Sequence, residues 1–233
     1  LGHRLNFDAM EVPSLFVLQT DCSPVLWLFR CCFKGVERHN NMAEEKHLST
    51  PLTAVAKLNP DALSNASSVL QSGPLFRYGE NTSDGQFVAK LEAEFAKYHG
   101  TRFAVGVNSG GSAMYVALLA AGVTSQDTVL LNAFTLAPVP GALKNIGCKI
   151  KLVDINENLT VDFEDLQEKI SLYKPKAFLL SHMRGHFGNL EKIQKICLEN
   201  DVILVEDCAH TLGGKWKGKA TGTFGSAGCF SLQ

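Results

Sequence analysis

The 233-residue chain has no excess of either charge, no long uninterrupted apolar run and no paired-cysteine spacing, and each absence removes a class of protein. With 22 basic and 23 acidic residues the formal net charge is -1, and the Lys and Arg residues are scattered. No basic stripe for nucleic acid and no acidic tail result. The apolar stretches 15–18 and 25–29 are separated by Asp21 and Pro24, which leaves neither a membrane-spanning helix nor a signal-peptide core. Neither nucleic acid nor a membrane is implied as a partner. The 7 cysteines make an odd count, with no Cys-x-x-Cys pair and no histidine at zinc-finger spacing, and they read as reduced thiols of a cytoplasmic protein. His182 and His186 have no cluster of carboxylates beside them in the sequence, so no metal site is expected. The chain also lacks a Walker lysine and the full Gly-x-Gly-x-x-Gly spacing. Asp127 stands about where a dinucleotide site needs an acid, but it precedes its strand instead of ending it.

What is present is a chain of 45% hydrophobic residues, enough for one large core and a small appendage. Residues 1–41 read as an upstream or non-native extension, because Met42 opens an ordinary translation start, Met-Ala-Glu-Glu-Lys. Residues 42–85, with a Ser-, Pro- and Asn-rich stretch at 49–73, read as an N-terminal arm holding one short helix. From Gln86 to the end the pattern is regular. Strands are expected at 103–107, 128–132, 149–154, 177–183 and 202–207, and helices at 88–98, 112–121, 138–146, 163–171 and 190–199. This alternation predicts an α/β fold, a three-layer sandwich with helices on both faces of a mostly parallel sheet.

Three strand ends carry chemistry. The stretch 202–214, Val-Ile-Leu-Val-Glu-Asp-Cys-Ala-His-Thr-Leu-Gly-Gly, is a buried strand whose acids fall at its carboxyl end, where open α/β sheets collect ligands. Asp207 there can hold a proton on a heteroaromatic nitrogen, and His210 can reach the same ligand, although an acid before a helical turn is also an ordinary cap. Asn108-Ser109-Gly110-Gly111-Ser112 follows a strand and opens a helix, so its amides can cradle a phosphate or simply form a tight turn. Ser181-His182-Met183-Arg184-Gly185-His186 crowds two histidines and an arginine at a third strand end. Arg184 there can clamp an anionic group or pair with an acid of its own chain. Phe134 reads as core filling, and Lys215, Lys217 and Lys219 as a solvated hairpin turn.

The motifs at 108–114 (Asn-Ser-Gly-Gly-Ser-Ala-Met), 133–138 (Ala-Phe-Thr-Leu-Ala-Pro), 181–186, 206–210 (Glu-Asp-Cys-Ala-His) and 222–231 (Gly-Thr-Phe-Gly-Ser-Ala-Gly-Cys-Phe-Ser) occur in the order seen in the DegT/DnrJ/StrS sugar aminotransferases. The resemblance covers residues 73–233. It implies a fold-type I enzyme using pyridoxal 5'-phosphate (PLP), a homodimer, with a keto-sugar or keto-cyclitol as acceptor and glutamate or glutamine as amino donor. Carried over, Asp207 would keep the pyridine nitrogen protonated, and His210, in place of the usual Gln, would bond the phenolic oxygen. Ser109, Gly110, Gly111, Ser112 and Ser231 would hold the phosphate, Gly111 replacing a usual threonine. Leu136 would pack on the ring where relatives stack an aromatic. His182, Arg184 and His186 would face the substrate. The family's Schiff-base lysine would fall beyond Gln233, as would the small C-terminal domain, so the chain is expected to be a fragment, inactive by itself. A histidine in place of that lysine would mean a sugar dehydratase, and a third reading is an inactive PLP-fold module.

Overall fold

The computed structural model describes residues 15–19, 59–72 and 83–232. Residues 23–86 form one unit, and residues 1–22 with 87–233 form another. The smaller unit has one helix wholly within its described residues, α1 (Pro60–Ser72). Pro60 presets its first turn, and the Asn59 side chain accepts the Asp61 N–H at 3.0 Å. It lies in the stretch read as an arm.

Among the described residues, seven parallel strands form the main sheet of the larger unit. They are β1 (Leu15–Gln19), β2 (Phe103–Val107), β3 (Thr128–Asn132), β4 (Lys149–Val153), β5 (Ala177–Ser181), β6 (Ile203–Asp207) and β9 (Ala227–Ser231). Their order is β2-β1-β9-β6-β5-β3-β4. The short strands β7 (Lys215–Trp216) and β8 (Lys219–Ala220) make a separate antiparallel hairpin, with Lys217 and Gly218 both at positive φ in its turn. Helix α2 (Ser83–His99) leads into β2, and α3 (Gly110–Ala120), α4 (Pro138–Ile146), α5 (Phe163–Tyr173) and α6 (Leu190–Glu199) follow strands in turn.

Strand period and helix placement divide the core into two layers. Val129 and Leu131 of β3, Ala177 and Leu179 of β5, and Val205 of β6 face one side, where they pack with Ala113, Leu118 and Leu143 of α3 and α4. Leu130, Phe178, Leu180 and Leu204 face the other side, with Leu166 and Ile170 of α5 and Ile193 of α6. These strands are buried on both faces, which is why they read as continuous apolar runs. Each fully buried Leu or Phe stabilises the fold by about 1.5–3 kcal/mol relative to exposure.

Expected and observed elements agree at their centres and differ at their ends. The strand expected to reach Met183 stops at Ser181, and Met183–Gly185 forms a 3-10 turn with Arg184 at φ 53. The His182 N–H still bonds the Asp207 carbonyl at 3.0 Å, and the chain then turns, with the Gly185 N–H donating to the His182 carbonyl at 3.1 Å. Helix α3 starts two residues before the expected Ser112, because the Ser109 side chain caps it by accepting the Ser112 N–H at 3.0 Å. The strand expected to reach Asp154 ends at Val153, where the Asp154 N–H turns to the Asp165 carboxylate at 2.7 Å. Strand β1 falls in the stretch read as an upstream extension. Its backbone is in register with β2 on one side (Val17 with Val105) and with β9 on the other (Val17 with Cys229).

Candidate functional site

The strand order reverses toward one edge of the sheet, between β5 and β3. From β2 the chain crosses through α3 to β3 and β4 at the far edge, and then returns through β5, β6 and β9. Ligand crevices form outside the carboxyl ends of strands at such a reversal. A cavity of about 480 Å³ lies there, and its wall includes Ser109, Gly110 and Gly111 at the start of α3, Asp207 and His210 after β6, and Ser231 at the end of β9.

The α3 end is built to receive an anion. The first turn of a helix leaves its N–H groups without intrahelical acceptors, and the aligned peptide dipoles add partial positive charge there. At Gly111 an added Cβ would meet only the Ser109 Oγ, at 3.8 Å, so the wall has no side chain there to hold a ligand back. Ser109 itself is committed to the cap, and its hydroxyl donates to Ser112 Oγ at 2.9 Å. Ser112 faces an adjoining hollow, which it lines together with Ser109, Gly111 and Tyr115.

The opposite wall carries the acid. Asp207 belongs to the same alternation as Val205, so its side chain stands on the α3/α4 side of the sheet. It is 5% exposed. Its Oδ2 accepts from Ser181 Oγ at 2.7 Å and its Oδ1 from the Ala209 N–H at 3.2 Å. A carboxylate has room for further donors, and Asp207 lines the cavity. Leu136, Met114 and Met183 supply apolar walls between the acid and the helix start. The arrangement can therefore hold a flat ring with an anionic group at one end and a protonated nitrogen at the other.

Glu206, one residue earlier, points to the opposite face. It is fully buried, and its two oxygens accept from Phe224 N–H at 2.7 Å, Gly225 N–H at 2.9 Å and Gly222 N–H at 2.9 Å. His182 Nε2 stands 3.0 Å from Oε2. Burial pushes the Glu206 carboxyl up, but the His182 ring and the turn's amides outweigh it and hold the group below the usual carboxylate range. Glu206 thus fastens the turn that launches β9. Cys208 Sγ approaches the same two residues closely enough to suggest a metal site. Among the described residues the Glu206 oxygens are already taken by three amides and an imidazole, and burial pushes the Cys208 thiol well up.

Of the residues singled out from sequence, Ser109, Gly110, Gly111, Leu136, Asp207, His210 and Ser231 all line the one cavity. His182, Arg184 and His186 do not. His182 is 1% exposed and turned to Glu206, Arg184 is exposed, and the exposed His186 meets the Phe134 ring edge-on at 6.3 Å. Phe134 is itself half-buried. Reasoning from sequence passed over Ser181 and Glu206. Their only signal was that each is a polar residue closing an apolar strand beside a residue already chosen.

The match to known proteins is extensive. Residues 63–233 fit the model of the DegT/DnrJ/EryC1/StrS aminotransferase family. GDP-perosamine synthase of Escherichia coli O157:H7 is 34% identical over 152 residues, which are 65% of this chain and 42% of that protein. GDP-4-keto-6-deoxy-D-mannose 3-dehydratase of Escherichia coli O55:H7 is 33% identical over 154 residues, 63% of this chain and 39% of that protein. Among solved structures, 3-amino-5-hydroxybenzoic acid synthase superposes with a TM-score of 0.67 at 28% identity, covering 77% of this chain and 46% of that one. The Escherichia coli dehydratase with bound hydrated PLP gives 0.62 at 30% identity, covering 74% and 44%. The chain thus spans less than half the length of these relatives. Its sheet and helices are those of the PLP-dependent aminotransferase fold, and the chain belongs to the DegT/DnrJ/EryC1/StrS aminotransferase family.

Proposed function

We propose that this chain is the cofactor-binding part of a PLP-dependent enzyme that transfers an amino group from glutamate or glutamine to a keto-sugar, nucleotide-linked, or to a keto-cyclitol. One observation carries the reading: a buried carboxylate and a capped helix N-terminus face each other across a single cavity at the reversal of the sheet. PLP, when bound, supplies an electron sink for negative charge developing on the substrate carbon. The chain's own residues bind and orient. The amides of Gly110 and Gly111, with Ser231, hold the phosphate, and Asp207 keeps a proton on the pyridine nitrogen. Leu136 packs on the ring, and His210 reaches for its phenolic oxygen. Ser112, in the adjoining hollow, is left as part of the cap and not as a phosphate ligand. His182 has a structural partner, which leaves Arg184 and His186 as the candidates for substrate contact from that loop.

The test is a PLP titration of the chain followed by absorbance, with Asp207→Asn beside it. Saturable binding that weakens about tenfold in the variant, a change of ~1.4 kcal/mol, is the expected result. Equal affinities, or no saturable binding, would end the proposal. Relatives of nearly equal identity perform amino transfer and dehydration. The full gene product incubated with a nucleotide-linked keto-sugar and glutamate distinguishes them, since an amino-sugar product supports transfer and a deoxy-sugar product replaces it with dehydration. The proposed enzyme is a cytoplasmic homodimer. No described helix is long and apolar enough to cross a membrane.

A further inference from the structure

We propose that Ser181 is a positioning residue that aims the Asp207 carboxylate at the ring nitrogen of the cofactor, an inference that rests on the proposed role of Asp207. The two residues are register partners at the carboxyl ends of β5 and β6. In a parallel sheet such partners project to the same face, and both side chains belong to the α3/α4 side. Ser181 is 3% exposed, and among the described residues its hydroxyl has one partner, Asp207 Oδ2, at 2.7 Å.

The backbone that carries this hydroxyl is clamped. Asn132, buried at the end of β3, accepts the Ser181 N–H on Oδ1 at 2.7 Å and donates from Nδ2 to the Ser181 carbonyl at 3.0 Å. The same Nδ2 donates to the Phe134 carbonyl at 3.0 Å, which ties the Leu136 loop to this point. Three neighbouring strand ends therefore act as a chain, in which Asn132 fixes Ser181 and Ser181 fixes Asp207. The longer 3.2 Å bond from Ala209 is the other restraint on the carboxylate. A charge-assisted O–H donor at 2.7 Å sets the rotation of the carboxylate plane, and so decides which lone pairs face the cavity. Without it the carboxylate can rotate off the nitrogen, which then gives up its proton more readily.

The test uses the 233-residue chain with PLP carrying 15N at the pyridine nitrogen, whose chemical shift reports its proton directly. Ser181→Ala, Ser181→Cys and Ser181→Thr remove, weaken and keep the donor. Ser181→Ala is expected to bind PLP about tenfold more weakly and to lose the nitrogen proton about one pH unit lower. Ser181→Thr should return both values to near those of the unaltered chain, and Ser181→Cys should fall between. The cofactor-free melting temperatures of the three should track packing and not this order. Unchanged binding and titration in Ser181→Ala overturn the proposal, as does a Thr variant no better than Ala. Asp207→Asn separates the two levels. If it weakens binding while Ser181→Ala does nothing, only the Ser181 role falls, and if it too does nothing, the role of Asp207 falls first.

Discussion

Two consecutive acids on β6 do unrelated work, and the difference lies in what each carboxylate touches. Glu206 holds three amides and an imidazole in the buried α5/α6 side, where a lost charge leaves several donors without an acceptor. Glu206→Gln places an amide group against backbone N–H donors and should cost about 3 kcal/mol at neutral pH. Urea denaturation checks this, and a loss under about 0.5 kcal/mol would contradict the clamp. The sign with pH follows from the depressed Glu206 value. Its contribution is fully present above the unfolded glutamate value of about 4.3 and disappears as pH falls through the lower folded value. Melting of the unaltered chain should therefore fall more steeply with acid than that of Glu206→Gln. Asp207 was legible as a strand-end acid over a crevice. The role of Glu206 was not, because its amide partners lie 16 to 19 residues onward in the chain. His182 was read toward substrate because nothing in the local pattern says that the chain bends back after Ser181.

At the level of elements, the Gly-rich run 222–228 is shaped by close approach. A Cβ on Gly228 would stand 2.6 Å from Gly222 Cα, and one on Gly225 would collide with the Leu204 carbonyl. Gly228→Ala must push β9 off its turn and should lose about 1–3 kcal/mol, measured by thermal or urea unfolding. An unaltered melting curve would show that the turn yields freely. Strand β1 offers a sharper trial, since it is paired on both sides. Val17→Pro deletes a backbone donor and should lower the melting temperature by several degrees. No change would mean that Leu15–Gln19 is dispensable to the sheet. The centres of the β2–β6 strands and of α3–α6 could be read from period and punctuation. Strand β1 could not, because four apolar residues without turn chemistry fit several structures, and its partners lie far along the chain at Phe103 and Ala227.

For the molecule as a whole, the alternating pattern was enough to predict a parallel sheet between helical layers. The cysteines were read as reduced. Cys148, Cys197, Cys208 and Cys229 are free and buried, and burial pushes the thiols up, Cys197 to about 12 and Cys208 and Cys229 well above their ordinary value. Native-state alkylation followed by peptide mass spectrometry should leave these four unlabelled long after urea-unfolded chains react completely. Fast labelling of Cys208 or Cys229 would mean that the sheet opens readily at β6 and β9. The back-to-back placement of Glu206 and Asp207 also bears on how this protein can change over generations. A one-residue insertion or deletion within β6 would turn the crevice-lining Asp207 into the α5/α6 layer and Glu206 into the crevice, undoing both sets of hydrogen bonds at a stroke. A substitution in this strand can therefore change one acid by itself, whereas a change in its length alters both together.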